Sequence, residues 1–559
     1  MRRAAVGTFD SFNMVVAGIK GNLVQGIELI YDTLMASSLD EVASEYGLVA
    51  EAVRYPSDFA WVSFRLRPAA RWHDGRIIAP DDVIYSLGVF KRLHPMLAAY
   101  YRHVARAEQI GESEIRFVFD TAGIREMPQV LGQLTVLPKH WWEGTNGFGE
   151  PRAVSETTLE PPLGSGAYRI KNFEAGQSVV YERVPDYWAK DLPINVGTNN
   201  FDELRFDYFR DPGVAFEAFK AGVVDWHTEN VAKNWATGYD FPAVSRRQVV
   251  REEFPIRNIG TMQAFAFNIR RAKFSDPRVR RAFNFAFDFE KVNREFFYDL
   301  YIRISSYFDG TELASAGLPE GRELELLQGV RSAVPPQVFT TPYWNPVAGS
   351  DAAVRANLLK AMRLLTQAGF EVKDLVLVDP ETGEQMEVEF LIGDQSFERI
   401  ILFYQPSLQR LGIKATVRYV DNVQYFNRLR EWDFDIVVAS WLESLTPGGE
   451  QRDYWGSAAA DTPGSRNLVG IKNRAIDALI ERIIFATSRD ELVAATKALD
   501  RVLLWNHYVV PQWNFGTLRT ARWDWFGRPD RMPRYGLPAF PMLWWWDEER
   551  AAKVAAAEQ

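Results

Sequence analysis

The stretch 388-VEFLI-392 is a short apolar run that begins the part of the sequence that decides the fold. It is followed by a predicted helix at 397–411, a strand at 413–420, a short helix at 423–430 and a strand at 435–441. Strands that alternate with helices in this way are typical of a parallel sheet with helices packed on it. The stretch therefore predicts an α/β fold.

Outside this stretch, the late part of the chain is rich in predicted helices and the first third is rich in predicted strands. Ser275-Asp276-Pro277 begins a helix whose apolar positions continue to Phe289. The other predicted helices are 80–93, 351–368 and the one that the capping box 488-SRDE-491 opens. The other predicted strands are 61–66, the hairpins 104–110/115–119 and 167–173/178–183, and 508–515.

These patterns divide the chain into three parts. We expect an additional, β-rich domain at 46–155 and an α/β lobe at 268–508. The remaining segments, 1–45, 156–267 and 509–559, would together form the core of the first lobe. The 559 residues are enough for about three to five domains of ordinary size.

Composition excludes several classes of function. The net charge is −9 and the basic residues are scattered, so we expect no nucleic-acid partner. The chain has no cysteine, which rules out disulfides, thiolate zinc sites and cysteine nucleophiles. No stretch approaches the roughly 18 consecutive apolar residues that a membrane helix needs.

The sequence also lacks the common catalytic motifs. None of the six histidines lies in a metal-binding spacing, and neither a nucleophile elbow nor a P-loop is present. We therefore expect no catalytic residue, no metal and no cofactor. Paired carboxylates among 73 acidic residues leave a carbohydrate-active enzyme as an alternative.

The predicted strand ends are the best candidate for a ligand site, because ligands of open parallel sheets bind beyond the carboxyl ends of the strands. The strand at 435–441 ends in Trp441, Glu443 and Ser444. A ring, a carboxylate and a hydroxyl suit a ligand that has a cationic group and an apolar body. The same residues are equally typical of a loop packed on its own domain, with Glu443 in solvent.

Six motifs, in this order and spacing, make the chain resemble the extracellular solute-binding proteins of family 5, the dipeptide and oligopeptide receptors of ABC importers. The likeness is strongest to the YejA-like branch and runs from about residue 7 to about residue 545. The motifs are 71-RWHDG-75 before 80-PDDV-83, 136-VLPKHWW-142, 162-PLGSGAY-168, 218-AFKAG-222, 274-FSDPRVR-280 and 454-YWGS-457.

The resemblance implies a type II periplasmic-binding-protein fold with two lobes, of which the N-terminal lobe carries an extra domain. It implies a periplasmic protein whose signal peptide has been removed, with a peptide ligand, an inner-membrane ABC permease as partner and no catalysis. The ligand, possibly a murein-derived peptide, would bind in a cleft between the lobes. We expect a monomer, and a carbohydrate receptor of the same fold is the alternative.

We also expect ligand contacts from several segments, of which the N-terminal one lies where the family makes ligand contacts. They are Phe9, Asp10, Phe12 and Asn13; Arg428 or Arg430 as a carboxylate clamp; Trp441, Glu443 and Ser444; and Trp513 and Asn514. The family's peptide receptors usually have an aspartate three residues after the tryptophan, where this chain has Ser444. Glu443 is the nearest acid, and we expect it to hold the ligand's ammonium group.

Overall fold

A computed structural model describes residues 1–257 and 259–556 of the chain. The chain forms two units, one made of Met1–Pro255 with the segment from Leu518 onward, the other of Ile256–Thr517. In the part that is described, no helix is long and apolar enough to cross a membrane.

The first unit takes most of its elements from the first 255 residues. Its strands there are β1 (Arg2–Val6), β2 (Met35–Ser37), β3 (Glu45–Gly47), β4 (Ala50–Arg54), β5 (Trp61–Leu66), β6 (Val104–Gln109), β7 (Glu114–Phe119), β8 (Tyr168–Glu174), β9 (Ser178–Arg183), β10 (Glu203–Phe209), β11 (Trp226–Thr228) and β12 (Val249–Pro255). Its helices there are α1 (Pro80–Leu93), α2 (Pro95–Tyr100), α3 (Met127–Gly132), α4 (Lys139–Trp142), α5 (Pro212–Lys220), α6 (Ala232–Thr237) and α7 (Pro242–Ser245).

The second unit contains the long helices. Its strands are β13 (Ile259–Phe267), β14 (Ile302–Arg303), β15 (Glu371–Lys373), β16 (Val376–Val378), β17 (Glu387–Ile392), β18 (Lys414–Tyr419), β19 (Ile436–Ser444), β20 (Val509–Pro511) and β21 (Trp513–Asn514). Its helices are α8 (Pro277–Ala286), α9 (Phe289–Phe297), α10 (Gly321–Gly329), α11 (Gln337–Thr340), α12 (Asp351–Gln367), α13 (Glu398–Arg410), α14 (Asn422–Arg430), α15 (Glu450–Trp455), α16 (Arg474–Ile484) and α17 (Arg489–Trp505).

The chain then returns to the first unit. The elements of this last segment are β22 (Thr517–Trp523), β23 (Phe526–Gly527), β24 (Trp545–Trp546) and α18 (Glu548–Ala556).

Two sheets organise the first unit. Seven strands form one sheet in the order β12-β22-β11-β1-β10-β9-β8, and β4-β5-β7-β6 form an antiparallel sheet of four. The RWHDG motif is a turn closed by the bond from the Trp72 N–H to the Arg76 carbonyl, and it leads into α1 as a structural element. The Nε1 of Trp72 donates to Asp82 of α1 at 3.3 Å, which ties the turn to the helix.

The main sheet of the second unit is mixed rather than wholly parallel. Its order is β18-β17-β19-β13-β20. β17 is parallel to β18 and β19, as the α/β pattern predicted. β13 is antiparallel to β19 over nine residue pairs and antiparallel to β20. Sequence analysis assigned no strand to 259–267, although the short apolar run 264-AFAF-267, rich in aromatic residues, was an available signal.

Three predicted elements need correction. The strand predicted at 435–441 continues to Ser444, because β13 pairs with it along its whole length. The helix predicted from 277 through Phe289 is two helices, since Asp288 accepts a bond from the Lys291 N–H and caps α9. The strand predicted at 508–515 is divided between β20, which pairs with β13, and β21, which pairs with β14.

The unit boundaries also lie about ten residues from those predicted at 267/268 and 508/509. β13 and β20 belong to the main sheet of the second unit, so the division falls at 255/256 and 517/518 instead. The assignment of 46–155 as a separate domain, added to the core of the first unit, stays a prediction.

Gly260 marks a close approach in the second unit. It pairs with Glu443 across β13 and β19, and a Cβ added at Gly260 would lie 2.7 Å from the Cα of Phe308. The backbone around Phe308 therefore packs directly against this part of the sheet, which a side chain on residue 260 would prevent.

Gly260→Ala should cost about 1–3 kcal/mol of unfolding free energy, because the added methyl group must push a backbone segment away from the sheet. Urea denaturation followed by tryptophan fluorescence measures the loss. Gly329→Ala is the matched control, because a Cβ there meets nothing within 4 Å. An equal effect of both substitutions would contradict this account of Gly260.

Candidate functional site

The second half of β19 has one buried and one exposed face. Side chains alternate along a strand, and here Trp441 and Glu443 are fully buried whereas Ser440, Leu442 and Ser444 are exposed. The trio predicted to meet a ligand together is therefore split, with Ser444 on the face opposite to Trp441 and Glu443.

Trp441 is part of the core of the second unit. Its indole Nε1 donates to the carbonyl of Arg466 at 3.2 Å, and its ring lies 4.8 Å from the ring of Trp455. An indole whose hydrogen bond and both faces are taken up by the protein fills the core and presents no open ring surface.

Glu443 is held beneath the sheet by a neighbouring amide. The Nε2 of Gln451 donates to Glu443 at 2.5 Å and to Glu450 at 3.2 Å, so one amide bridges two carboxyl groups. Burial, followed by the charge of Glu450, raises the pKa of Glu443 well above its ordinary value. This environment favours the protonated form of Glu443, which is the opposite of what an exposed ammonium anchor requires.

Of the two arginines predicted as a clamp, Arg428 is already occupied. Its guanidinium pairs with Glu389 at 2.8 Å and with Asp433 at 3.0 Å. Arg430 is exposed and forms no ion pair within the described part of the chain. Of these two arginines, only Arg430 is available to a ligand anion.

The N-terminal segment is mostly structural. Phe9 and Phe12 are buried in the core of the first unit, with ring centroids 5.8 Å apart. Asn13 is fully buried and donates to the carbonyls of Val154 and Glu156. Asp10 is the exposed member of the four, and its carboxylate accepts a bond from the Asn22 N–H at 2.6 Å.

Trp513 and Asn514 form β21, paired with Arg303 and Ile302 of β14. Trp513 is nearly buried and its ring lies 4.8 Å from that of Phe297. Asn514 is half-buried, and its amide donates to Asp309 at 2.9 Å. Asn514 is thus the more accessible of the two.

The open feature of this region is a strand edge, which we call the free edge of β19. β17 pairs with β19 at Ile436 and Val437, and beyond them no strand of the described residues continues along this edge. The hydroxyl of Tyr425 donates to the Val438 carbonyl and Arg466 donates to the Ser440 carbonyl. Since main-chain groups alternate between the two edges, those of Leu442 point to the same free edge.

The exposed side chains of β19 beside this edge are neutral, and the nearby charged groups are Arg466 and Asp453, whose carboxylate accepts the backbone N–H of Arg466 at 3.3 Å. Ser440, Leu442 and Ser444 are exposed, and Thr261 and Gln263 of β13 are half-exposed beside them in the ladder. Arg466 is exposed, and its guanidinium pairs with no carboxylate in the described residues. Sequence analysis missed β13 and Arg466. The apolar run 264-AFAF-267 could have revealed the strand, but no pattern marks the arginine.

No metal centre accompanies these groups. Among residues 1–257 and 259–556, no three His, Cys, Asp or Glu side chains are grouped so that they could hold a metal ion.

The chain matches known proteins over almost its whole length. Residues 46–462 match the family of bacterial extracellular solute-binding proteins, family 5 (middle). The chain is 51% identical over 547 residues to the probable peptide-binding protein YejA of Agrobacterium fabrum, covering 98% of this chain and 89% of that protein. It is 36% identical to the peptidoglycan-binding protein YepA of the same organism, covering 97% and 89%.

The fold is also that of a solved structure. The oligopeptide-binding protein AppA of Bacillus subtilis, in complex with a nonapeptide, matches with a TM-score of 0.68 at 17% identity, covering 98% of this chain and 99% of that one. The predicted α/β fold of the type II periplasmic-binding-protein class is confirmed.

Replacing Glu443 with Gln should raise the melting temperature at pH 8 and leave it almost unchanged at pH 5. Because the pKa of Glu443 is raised in the folded chain, the wild type loses stability as pH rises above the usual carboxyl range, and a neutral amide removes that loss. We expect a gain of about 2–4 °C, which is what roughly 1 kcal/mol produces in a domain of this size.

Calorimetry at the two pH values measures the difference. Glu431→Gln is the control, because Glu431 is exposed in the same unit. A variant that is less stable than the wild type at pH 8 would show that Glu443 is needed as a carboxylate.

Proposed function

The chain belongs to the bacterial extracellular solute-binding proteins of family 5, and from that premise we propose that it binds short peptides, murein-derived peptides among them, and delivers them to an inner-membrane ABC permease. It is a transport receptor and not an enzyme, as its family is. The compartment we propose is the periplasm, in keeping with the extracellular description of the family.

The free edge of β19 is the observation that carries the peptide proposal. A strand edge with unpaired main-chain groups binds an extended peptide by adding it as a further strand. No strand of the described residues pairs with this edge beyond Val437, but Tyr425 and Arg466 donate to the carbonyls of Val438 and Ser440, so a peptide strand would take over these two carbonyls from side-chain donors. A relative that is named as a probable peptide-binding protein, and one that is named as a peptidoglycan-binding protein, support the same ligand class.

Arg466 is the residue we propose for the ligand's carboxylate. An arginine offers five donors in a planar fork that matches a carboxylate, and Arg466 uses one of them on Ser440. Arg428 is less suited, because two carboxylates already neutralise it. Of the residues predicted from sequence, we keep Asp10, Arg430, Ser444 and Asn514 as proposed contacts, because each is at least partly exposed.

Native mass spectrometry of the purified protein tests the ligand class, and calorimetry with short peptides and with oligosaccharides of similar size measures affinity. We expect peptides to co-purify and to bind without being converted. Binding of neutral sugars alone would replace this proposal with a carbohydrate receptor of the same fold, and turnover of either ligand would contradict the assignment as a receptor.

N-methylation of a bound peptide should weaken binding at alternate positions. A peptide paired with the free edge of β19 turns every second N–H toward that edge, and each lost main-chain bond should cost about fivefold to tenfold in affinity. Methylation at the intervening positions is the internal control. Equal losses at consecutive positions would rule out strand pairing.

Arg466→Gln should weaken binding of a peptide with a free carboxylate by about tenfold, the size expected for loss of a charge-assisted bond. Amidation of the peptide's C-terminus should weaken wild-type binding similarly, and the two losses should not add. Arg428→Gln is the matched control and should lower stability more than affinity. If Arg430→Gln alone weakens binding, the clamp is Arg430, as the sequence suggested.

A further inference from the structure

The first unit contains a cavity that lies apart in sequence from the strand edge described above. Its volume is about 490 Å³. Its walls are formed by the turn at Arg246 to Gln248, by Asp524, and by Asp547 together with the helix α18 that follows it. All of these segments belong to the same unit. The cavity therefore does not depend on the proposed peptide site.

Hydrogen bonds fix the walls of this cavity relative to one another. The side chain of Gln248 is buried and donates to the carbonyl of Val554 in α18 at 3.0 Å. The N–H of Asp524 donates to the carbonyl of Gln248 at 2.8 Å. The turn at Arg246 to Gln248, the connection between β22 and β23 that carries Asp524, and the helix α18 are thus held together without a ligand. The shape of the cavity is therefore preorganised.

One cation of the lining is neutralised within the protein. Arg550 pairs with Asp524 at 2.9 Å and with Asp547 at 3.5 Å. One guanidinium between two carboxylates leaves this group with a net charge of −1, so the lining as a whole, with four cations and three acids, carries a net charge of +1.

The other cations of the lining are without such partners. Arg246, Arg247 and Lys553 are exposed in the cavity wall, and none of them forms an ion pair within residues 1–257 and 259–556. Glu549 is the one lining acid that pairs with none of the described residues either. Three unpaired cations against one unpaired acid give the cavity an excess of positive charge.

The turn that carries the two arginines is also under backbone strain. Arg247 has a φ of +59°, in the left-handed region that favours glycine. Arg247 is the left-handed residue that ends helix α7, where its N–H donates to the Val244 carbonyl and the Gln248 N–H donates to the Ala243 carbonyl. This turn brings two consecutive arginines into the wall of one cavity.

We propose that this cavity binds a small dianion of the phosphate class, such as inorganic phosphate or a phosphate monoester. Guanidinium groups match the oxygen geometry of phosphate, and Arg246, Arg247 and Lys553 have no carboxylate partner among the described residues that would compete with it. The volume of about 490 Å³ is within the range of ordinary small-molecule sites and is ample for inorganic phosphate or a small phosphate monoester.

Calorimetry of the full chain with inorganic phosphate and with glycerol 3-phosphate, at low ionic strength, tests the proposal. We expect saturable binding of both probes and about tenfold weaker binding after the double substitution Arg246→Gln/Arg247→Gln. Glu549→Gln should strengthen binding by about twofold to fivefold, because it removes a like charge from the site.

Arg210→Gln is the matched control, because Arg210 is an exposed arginine of the same unit that pairs with no acid in the described residues and is not part of the lining. It should leave affinity unchanged. Equal weakening by Arg210→Gln, or unchanged binding by the double variant, would overturn the proposal. Circular dichroism and melting temperature confirm that each variant is folded.

A flotation assay separates soluble phosphates from lipid headgroups. Vesicles of phosphatidylcholine with phosphatidylglycerol present the same phosphate chemistry on a surface. Binding of the soluble probes without flotation supports the proposal as stated, whereas flotation that the double variant abolishes, without binding of the soluble probes, would overturn it in favour of a membrane surface.

Discussion

The antiparallel ladder between β13 and β19 is the constraint on which the second unit depends. Nine residue pairs from Ile259 and Ser444 to Phe267 and Ile436 fix the register, and in a strand a register fixes the face of every side chain. The ladder therefore determines that Trp441 and Glu443 lie in the core. It also carries β19 beyond the end of β17, which leaves the second half of β19 with a free edge.

The elements that the sequence predicted well are those whose signal is local. β17 contains a short apolar run, β18 alternates between polar and apolar residues, and α17 begins with Ser488 accepting the Glu491 N–H, as its capping box indicated. What sequence analysis missed depends on distant partners. β13 lies about 180 residues before β19, and only the pairing between them extends β19 to Ser444 and moves the unit boundary.

The site was harder to predict, because residue type does not reveal which partners a side chain meets. Arg428 is the right kind of residue for an anion clamp, but Glu389 from another strand already occupies it. Phe9, Phe12 and Asn13 have the composition of a ligand loop and are nevertheless buried in their own unit. The sequence directed attention to β19 as a ligand-binding strand, which stays a proposal, whereas accessibility within that strand followed from the ladder.

The distribution of charge in the second unit explains what kind of recognition β19 can offer. Gln451 holds the carboxyl group of Glu443 inside the unit, where burial favours its neutral form, so no acid faces outward on the second half of β19. The groups left at the free edge are main-chain donors and acceptors, hydroxyls and one arginine. Main-chain pairing is the same for every residue of a peptide, whereas an arginine recognises a carboxylate. As the proposed peptide site, an edge of this composition would select for an extended backbone and a carboxylate and would be indifferent to most side chains, which is what a receptor for peptides of varied sequence requires.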